Sequence, residues 1–124
     1  MNETTTSQNP DYIDDLILGV VSDEFDVDKD KLLSGRRYTD IIYPLHLYRY
    51  LLRTRKASSY KYNGSIYRYL LREIGEKTQC HHATILHSYN TAKRLIKNDR
   101  IYRSKYESVM KKLPQQEFVI RKLY

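Results

Sequence analysis

Apolar residues recur at three- and four-residue intervals along most of the chain, and this spacing is the strongest constraint on its fold. Such a period places the apolar side chains on one face of an α-helix, whereas a half-buried strand would alternate at every second residue. Turn and capping residues divide the pattern into six segments. We therefore predict an all-α domain of six helices.

The first three predicted helices are separated by polar turns. The first covers residues 12–25 and is amphipathic. Asp28 is placed to cap a short second helix that stops before Gly35. Pro44 suits the first turn of a third helix, because its missing N–H would have no helical partner there, and that helix should run to about Lys56.

The fourth and fifth predicted helices form a pair. An Asn-Gly turn at 63–64 precedes Ser65, a favourable cap for a helix that stops at Gly75. After a turn at residues 76–79, apolar spacing indicates a fifth helix over 81–97. Two helices joined by a short turn that contains glycine form a candidate helix-turn-helix.

The last predicted helix begins after Asn98 and Asp99 and ends at Pro114. The tail, residues 114–124, contains a short apolar patch that either docks back onto the domain or meets a partner, and the sequence leaves both open. The inward-facing residues predicted for the fourth to sixth helices are Ile66, Tyr69, Leu70, Ile74, Ile85, Leu86, Tyr89, Ala92, Leu95, Ile96, Ile101, Tyr102, Tyr106, Val109, Met110 and Leu113.

Composition narrows the class of protein. With 124 residues the chain fits one domain, which we place at 11–113, after a mobile lead at 1–10. It has 13 Tyr, two Phe and no Trp, so tyrosine is expected to fill much of the core. The single cysteine, Cys80, supports neither a disulfide framework nor a cysteine-rich zinc site, so we expect a reduced cytoplasmic protein without cofactor or metal. No apolar stretch is long enough to span a membrane.

Charge is divided unevenly along the sequence. Residues 1–33 contain nine acids and two lysines, whereas residues 34–124 contain 20 bases and six acids. A segment with a balance of +14 suits phosphate backbones or other anionic surfaces. The four glycines are scattered, so neither a phosphate-binding loop nor a dinucleotide-binding turn is present.

The start of the fifth predicted helix carries a recognisable motif. Residues 80–87 read Cys-His-His-Ala-Thr-Ile-Leu-His. This order resembles the Asp-His-Thr-Thr-Val-Leu-His signature of the C-terminal DNA-binding domain of the bacterial replication initiator DnaA. Residues 20–37, which end in Leu-Leu-Ser-Gly-Arg-Arg, resemble the family's first helix, turn and basic loop, and the Ile-Gly pair at 74–75 also has a counterpart. The resemblance covers about residues 12–113.

This resemblance implies a six-helix, Trp repressor-like domain that binds double-stranded DNA. In the family the second helix of the helix-turn-helix enters the major groove, and an arginine of the basic loop reaches the minor groove. His82, Thr84 and His87 match the family's motif residues in the recognition helix. Arg36 and Arg37 form the basic loop, and Arg37 matches the minor-groove arginine.

Five further residues complete the predicted DNA-binding site. Lys77, Thr78 and Gln79 lie in the predicted turn, where side chains and backbone N–H groups can contact phosphates. His81 replaces the family's Asp, so a group that accepts from cytosine becomes one that can donate to guanine. Ala83 replaces a Thr and keeps a methyl that can meet a thymine methyl.

Other departures from the family concern the backbone contacts and the size of the protein. Leu45 and His46 stand where the family has Arg and Gln near phosphates, so those contacts are expected to be lost or supplied elsewhere. About ten extra residues are accommodated within 53–69. Nothing in the chain corresponds to the initiator's ATPase module, so the expectation is a free-standing replication-associated or regulatory factor, in the nucleoid of a bacterium or in a phage-infected cell.

Two classes of function compete at this point. The first is sequence-specific DNA binding, in replication or in transcription regulation. The second is a protein-interaction or architectural module that keeps the fold and docks on a protein partner through the acidic N-terminal segment or the tail. Catalysis is not expected, because the histidines match no nuclease or recombinase pattern. A zinc site is not expected either, because His82 and His87 are five residues apart with no second pair.

Overall fold

The computed structural model describes residues 12–35, 38–57, 66–120 and 123, and this part of the chain is all-α. The predicted fold class, with six helices, is confirmed. The helices are α1 (Tyr12–Phe25), α2 (Lys29–Leu32), α3 (Thr39–Arg53), α4 (Leu71–Thr78), α5 (His82–Asn98) and α6 (Arg100–Lys111), followed by a 3-10 turn at Gln115–Glu117. None of the helices described is both long and apolar enough to cross a bilayer.

The core is built around α3, which packs most extensively on α5 and α1. Every residue from Pro44 to Leu52 is buried, so this helix is enclosed on nearly all sides. The prediction that tyrosine fills the core is confirmed by four buried phenol rings, those of Tyr48, Tyr50, Tyr102 and Tyr106. A buried hydroxyl needs a partner. Tyr102 meets this need by donating to the Tyr43 carbonyl at 2.8 Å.

Helix α3 differs from its prediction at both ends. It begins at Thr39, so Pro44 lies inside the helix and not in its first turn. The proline removes one N–H, whose partner would have been the Asp40 carbonyl, and burial of the following residues offsets this loss. The helix ends at Arg53 and not at Lys56, because the chain there leaves the helix to pair with other segments.

Helix α4 starts later than predicted. Residues 66–70 are not helical: the Arg68 N–H donates to the Arg55 carbonyl at 2.9 Å, and a single β-bridge joins Lys56 to Tyr67. The helix begins after Leu70, whose N–H donates to Glu73 Oε1 at 2.7 Å. Ser65, predicted as the cap, and the Asn-Gly pair at 63–64 lie outside the described residues.

Gly75 does not stop α4, and the turn predicted at residues 76–79 is wrong. The helix continues to Thr78, and Gln79 adopts the left-handed conformation at its end, with φ 59°. Gly75 instead allows the chain after α4 to pack closely against the helix. A Cβ atom added there would lie 2.5 Å from the Cys80 carbonyl oxygen, so no side chain fits between the helix and the chain that leaves it.

Four residues predicted to face the core are exposed: Ile66, Leu70, Leu86 and Ile101. Ile66 and Leu70 precede α4, so helical periodicity does not apply to them. Leu86 and Ile101 lie on helices but point outward, with exposed fractions of 45% and 73%.

Asp28 occupies the N-cap position of α2, as predicted, but its side chain makes no capping hydrogen bond.

The first part of the tail folds back onto the domain, which is one of the two alternatives left open for it. Phe118 is fully enclosed in the core. The Val119 N–H donates to the Thr54 carbonyl at 2.7 Å, and the Lys56 N–H donates to the Glu117 carbonyl at 2.7 Å. The segment that follows α3 therefore lies between the tail and residues 66–68.

A buried polar cluster joins these segments to α1. The Asp14 carboxylate accepts from Arg55 Nη1 at 3.0 Å and from the Tyr69 hydroxyl. Lys77 Nζ lies 3.5 Å from the same carboxylate. The other terminal nitrogen of Arg55 donates to Glu117 at 3.0 Å. Asp14 and Arg55 together thus connect α1, α4, the segment after α3 and the tail.

Candidate nucleic-acid interface

Helices α4 and α5 pack together and are joined by a turn of three residues, Gln79 to His81. The left-handed backbone of Gln79 reverses the chain, and the Cys80 N–H donates to the Gly75 carbonyl at 2.9 Å. The turn is therefore closed by a backbone hydrogen bond and by the close approach at Gly75. This geometry is a helix-turn-helix in which α5 is the second helix.

His81 caps the N-terminus of α5. Its Nδ1 atom accepts from the Ala83 N–H at 3.1 Å, and its ring stacks on that of His82 with centroids 4.2 Å apart. Because Nδ1 accepts, the proton of the neutral ring is on Nε2, which leaves a donor available to an external acceptor. The prediction that His81 can donate to guanine requires such a free donor.

The other predicted base-reading residues are exposed on the first turns of α5. His82, Ala83, Thr84 and His87 all face solvent, while Ile85 and Ser88 point into the protein. Thr84 and His87 are three residues apart and therefore share a face. The structure thus leaves these four residues accessible at the start of α5, next to His81.

The three residues predicted to contact phosphates have different surroundings. Lys77 Nζ is 3.5 Å from Asp14 and 5.6 Å from the centre of the Tyr69 ring, so its charge is directed toward the protein. The Thr78 hydroxyl donates to the Ile74 carbonyl at 2.8 Å. Gln79 is exposed at the turn. Lys77 is exposed as well, so both of these side chains remain accessible to an external partner, whereas Thr78 is half-buried.

The two arginines of the basic loop, Arg36 and Arg37, lie outside the described residues. The residue before them, Gly35, has φ 84° and borders the helix-turn-helix. It lines one cavity with Thr78 and Gln79, and another with Thr84 and His87. Gly35 therefore lies near the turn and the first turns of α5.

Behind this surface is a polar cluster that sequence reasoning missed. The Ser88 hydroxyl accepts from Arg49 Nη1 at 2.8 Å and lies 2.9 Å from His46 Nδ1. All three side chains are buried. The available signal was the position of Arg49, four residues after Leu45 and so on the apolar face of α3, where an arginine is rarely buried without a partner.

The His46 ring is held in its neutral form. Burial lowers the pKa of His46 from 6.5 to about 4, and the positive charges of Arg49, His87 and Arg94 act in the same direction. The hydrogen bonds agree with this, because a Ser88 hydroxyl that accepts from Arg49 can donate its own proton to an unprotonated Nδ1. Burial similarly lowers the pKa of the Arg49 guanidinium.

We expect the free energy of unfolding to fall as the pH is lowered from 6.5 to about 4, the pKa values of His46 in the unfolded and the folded protein. Below pH 6.5 the unfolded chain protonates His46 while the folded protein does not until about pH 4. Acidification therefore favours unfolding, by about 2 kcal/mol between pH 7 and pH 5. The free energy of unfolding, measured in urea, should depend less on pH in His46→Gln than in the unsubstituted protein. The two proteins share all other titrating groups, so the difference isolates His46. Equal pH dependence in the two proteins would contradict this role.

Comparison with protein-family models, with curated proteins and with solved structures finds no match for this chain. Among the described residues, no group of three His, Cys, Asp or Glu side chains is arranged to hold a metal ion.

Proposed function

We propose that this protein is a sequence-specific binder of double-stranded DNA, with the first turns of α5 in the major groove and Arg37 in the minor groove. One observation carries the proposal: the second helix of a helix-turn-helix presents four exposed side chains at its start, those of His82, Ala83, Thr84 and His87. Polar and small side chains at this position of a recognition helix reach base edges.

Charge and sequence resemblance support the same proposal. Residues 34–124 have a balance of +14, and neutralisation of phosphates by Lys and Arg supplies most of the affinity for duplexes in such proteins. The resemblance to the DnaA C-terminal domain adds the expectation of a replication-associated or regulatory role, with no enzymatic activity and no cofactor. The acidic residues 1–33 are the segment we would expect to contact a protein partner.

The direct test is selection from random duplexes with the purified protein at near-physiological salt, followed by sequencing of the retained pool. The proposal predicts an enriched motif. Retention without enrichment, falling steeply as salt is added, would mean that only the backbone is bound and would favour an architectural role. Absence of retention would contradict DNA binding and direct attention to a protein partner.

His82→Ala is expected to reduce affinity for the selected site by about 1–3 kcal/mol, because a side chain that reads a base edge contributes about that much discrimination. Affinity for a scrambled duplex should change little. Both affinities can be measured by fluorescence anisotropy at fixed salt. Gln116→Ala is a matched control, since Gln116 is polar, uncharged and exposed in the 3-10 turn away from α5. An equal loss on both duplexes would remove His82 from the base-reading residues.

A further inference from the structure

Arg49 is a buried cation without a carboxylate partner among the described residues. Its exposed fraction is 9%. Its Nη1 donates to the Ser88 hydroxyl, which is a neutral partner. By contrast, Arg55, which is also buried, pairs with two carboxylates.

A buried guanidinium in this state is costly for the folded protein. Removing a charge from water is unfavourable unless an opposite charge and hydrogen bonds replace the lost hydration. An anion bound in a neighbouring cavity would supply the missing opposite charge. The two other neighbours, His46 and Ser88, are neutral and provide no negative charge.

Two cavities border Arg49, at the level of the helix-turn-helix. They have volumes of about 290 Å³ and about 400 Å³, and they share Gly35, Leu45 and Arg49. Arg49 is the one charged side chain common to both. The smaller cavity also has Lys77 in its lining, and no Asp or Glu is present among the described residues that line either one.

The groups around the larger cavity are suited to a tetrahedral oxyanion. Besides Arg49, its lining contains the hydroxyl of Thr84 and the imidazole of His87, both of which can donate hydrogen bonds. A guanidinium offers a planar pair of donors that matches phosphate oxygens. We propose that Arg49 binds a phosphate group in the cavity between Gly35 and the first turn of α5.

The phosphate has two sources with the same chemistry: a phosphodiester of a bound DNA strand, or a free phosphate ion. The inference that Arg49 binds phosphate stands without the proposed function, and only the DNA source rests on it.

The first experiment measures the melting temperature of the full chain as inorganic phosphate is added at constant ionic strength. Binding to the folded state should raise Tm by roughly 5 °C when phosphate is about tenfold above its Kd. Phosphate also stabilises proteins in general, so the diagnostic is the difference between variants. Arg49→Met removes the charge in a shape that fits a buried position, and Arg100→Met removes one exposed charge from the start of α6 as a matched control.

The expected result is a saturable rise in Tm for the unsubstituted protein and for Arg100→Met, and a much smaller rise for Arg49→Met. Arg49→Lys should keep part of the effect, because it retains the charge without the planar donors. A second readout needs no variant: phosphate should shift the imidazole NMR signals of His46 and His87 in a saturable way. Equal rises in Tm for Arg49→Met and Arg100→Met, or unchanged imidazole signals, would overturn the proposal.

The second experiment identifies the source of the phosphate. If it belongs to DNA, Arg49→Met should reduce the slope of log affinity against log salt by about one, and inorganic phosphate should compete with DNA. If the site takes a free ion, the Tm effect should depend on Arg49 while the salt slope is unchanged. A protein that binds phosphate through Arg49 but retains no duplex would contradict the proposed function and leave the phosphate site supported.

Discussion

Arg55→Met is expected to lower the free energy of unfolding by about 3–5 kcal/mol, because it leaves a buried carboxylate without its main counter-charge. The side chains of Arg55 and Asp14 have exposed fractions of only 5% and 4%. After the substitution, Asp14 would retain the Tyr69 hydroxyl and Lys77 Nζ, which is 3.5 Å away and partly exposed. Urea unfolding followed by circular dichroism at pH 7 measures the loss.

The control for this prediction is an exposed ion pair in the same protein. Lys112 Nζ lies 3.4 Å from Glu24, and the lysine side chain has an exposed fraction of 53%. Lys112→Met should therefore cost less than about 1 kcal/mol. A similar small loss for Arg55→Met would show that the buried pair contributes no more than an exposed one.

A second variant tests the physical reason for the large effect. If the loss comes from the uncompensated Asp14 charge, Arg55→Met combined with Asp14→Asn should be more stable than Arg55→Met alone, since asparagine removes the charge and keeps an acceptor for Tyr69. If the loss came from the packing of the arginine side chain, the second substitution would give no recovery. The cluster is also the main connection between α1 and the tail, so its loss should expose the segment after Arg53 to proteolysis.

The parts of the fold that the sequence predicts well are those decided locally. Helices α1, α5 and α6 follow from apolar spacing, and the boundary at Asp99 follows from capping chemistry. The Asp99 carboxylate accepts from the N–H groups of Ile101 and Tyr102 at 3.0 and 3.1 Å, within three residues. A short-range pattern suffices where the hydrogen bonds themselves are short-range.

The wrong predictions concern positions where distant contacts decide the conformation. Helix α3 accepts Pro44 in its interior because the residues that follow it are buried, in a helix that packs on α1 and α5. Residues 66–70 are not helical, because the Ile66 carbonyl and the Arg68 N–H pair with the chain after α3. In the sequence Gly75 resembles a helix stop, whereas in the structure its lack of a side chain leaves space for the Cys80 carbonyl.

The candidate site likewise contains residues whose exposure the sequence predicts and a buried cluster that it does not predict. The exposure of His82, Thr84 and His87 could be predicted, since it follows from their place at the start of an amphipathic helix. The cluster behind them could not, because Ser88 is 39 residues from Arg49 and 42 from His46 in the sequence. No local pattern links these residues, and only the packing of α3 on α5 brings them together.

Gly75→Ala is expected to disrupt the helix-turn-helix, because the new Cβ atom would lie 2.5 Å from the Cys80 carbonyl oxygen. That atom belongs to the backbone, so the chain after α4 must move and the hydrogen bond from the Cys80 N–H to the Gly75 carbonyl must distort. Overpacking of this kind costs about 1–3 kcal/mol of stability. Alanine's better helix propensity, about 1 kcal/mol, offsets only part of this cost.

Gly19→Ala is the matched control, since Gly19 also lies inside a helix. A Cβ atom there would meet only the end of the Lys29 side chain, at 3.6 Å and 3.7 Å. This is ordinary contact, so the substitution should stabilise the protein by about 0.5–1 kcal/mol. The two glycines are thus expected to give changes in stability of opposite sign, which urea unfolding at pH 7 can measure.

The functional consequence of Gly75→Ala should exceed that of any single base-reading substitution. The turn sets the position of His81 and hence of the whole first turn of α5. Losing two base contacts at about 1–3 kcal/mol each would reduce affinity for the selected site by roughly 100-fold. Binding to a scrambled duplex should be nearly unchanged, because it depends on charge and not on the position of the helix. If Gly75→Ala folds and still binds the selected site as Gly19→Ala does, the first turn of α5 is not the base-reading element.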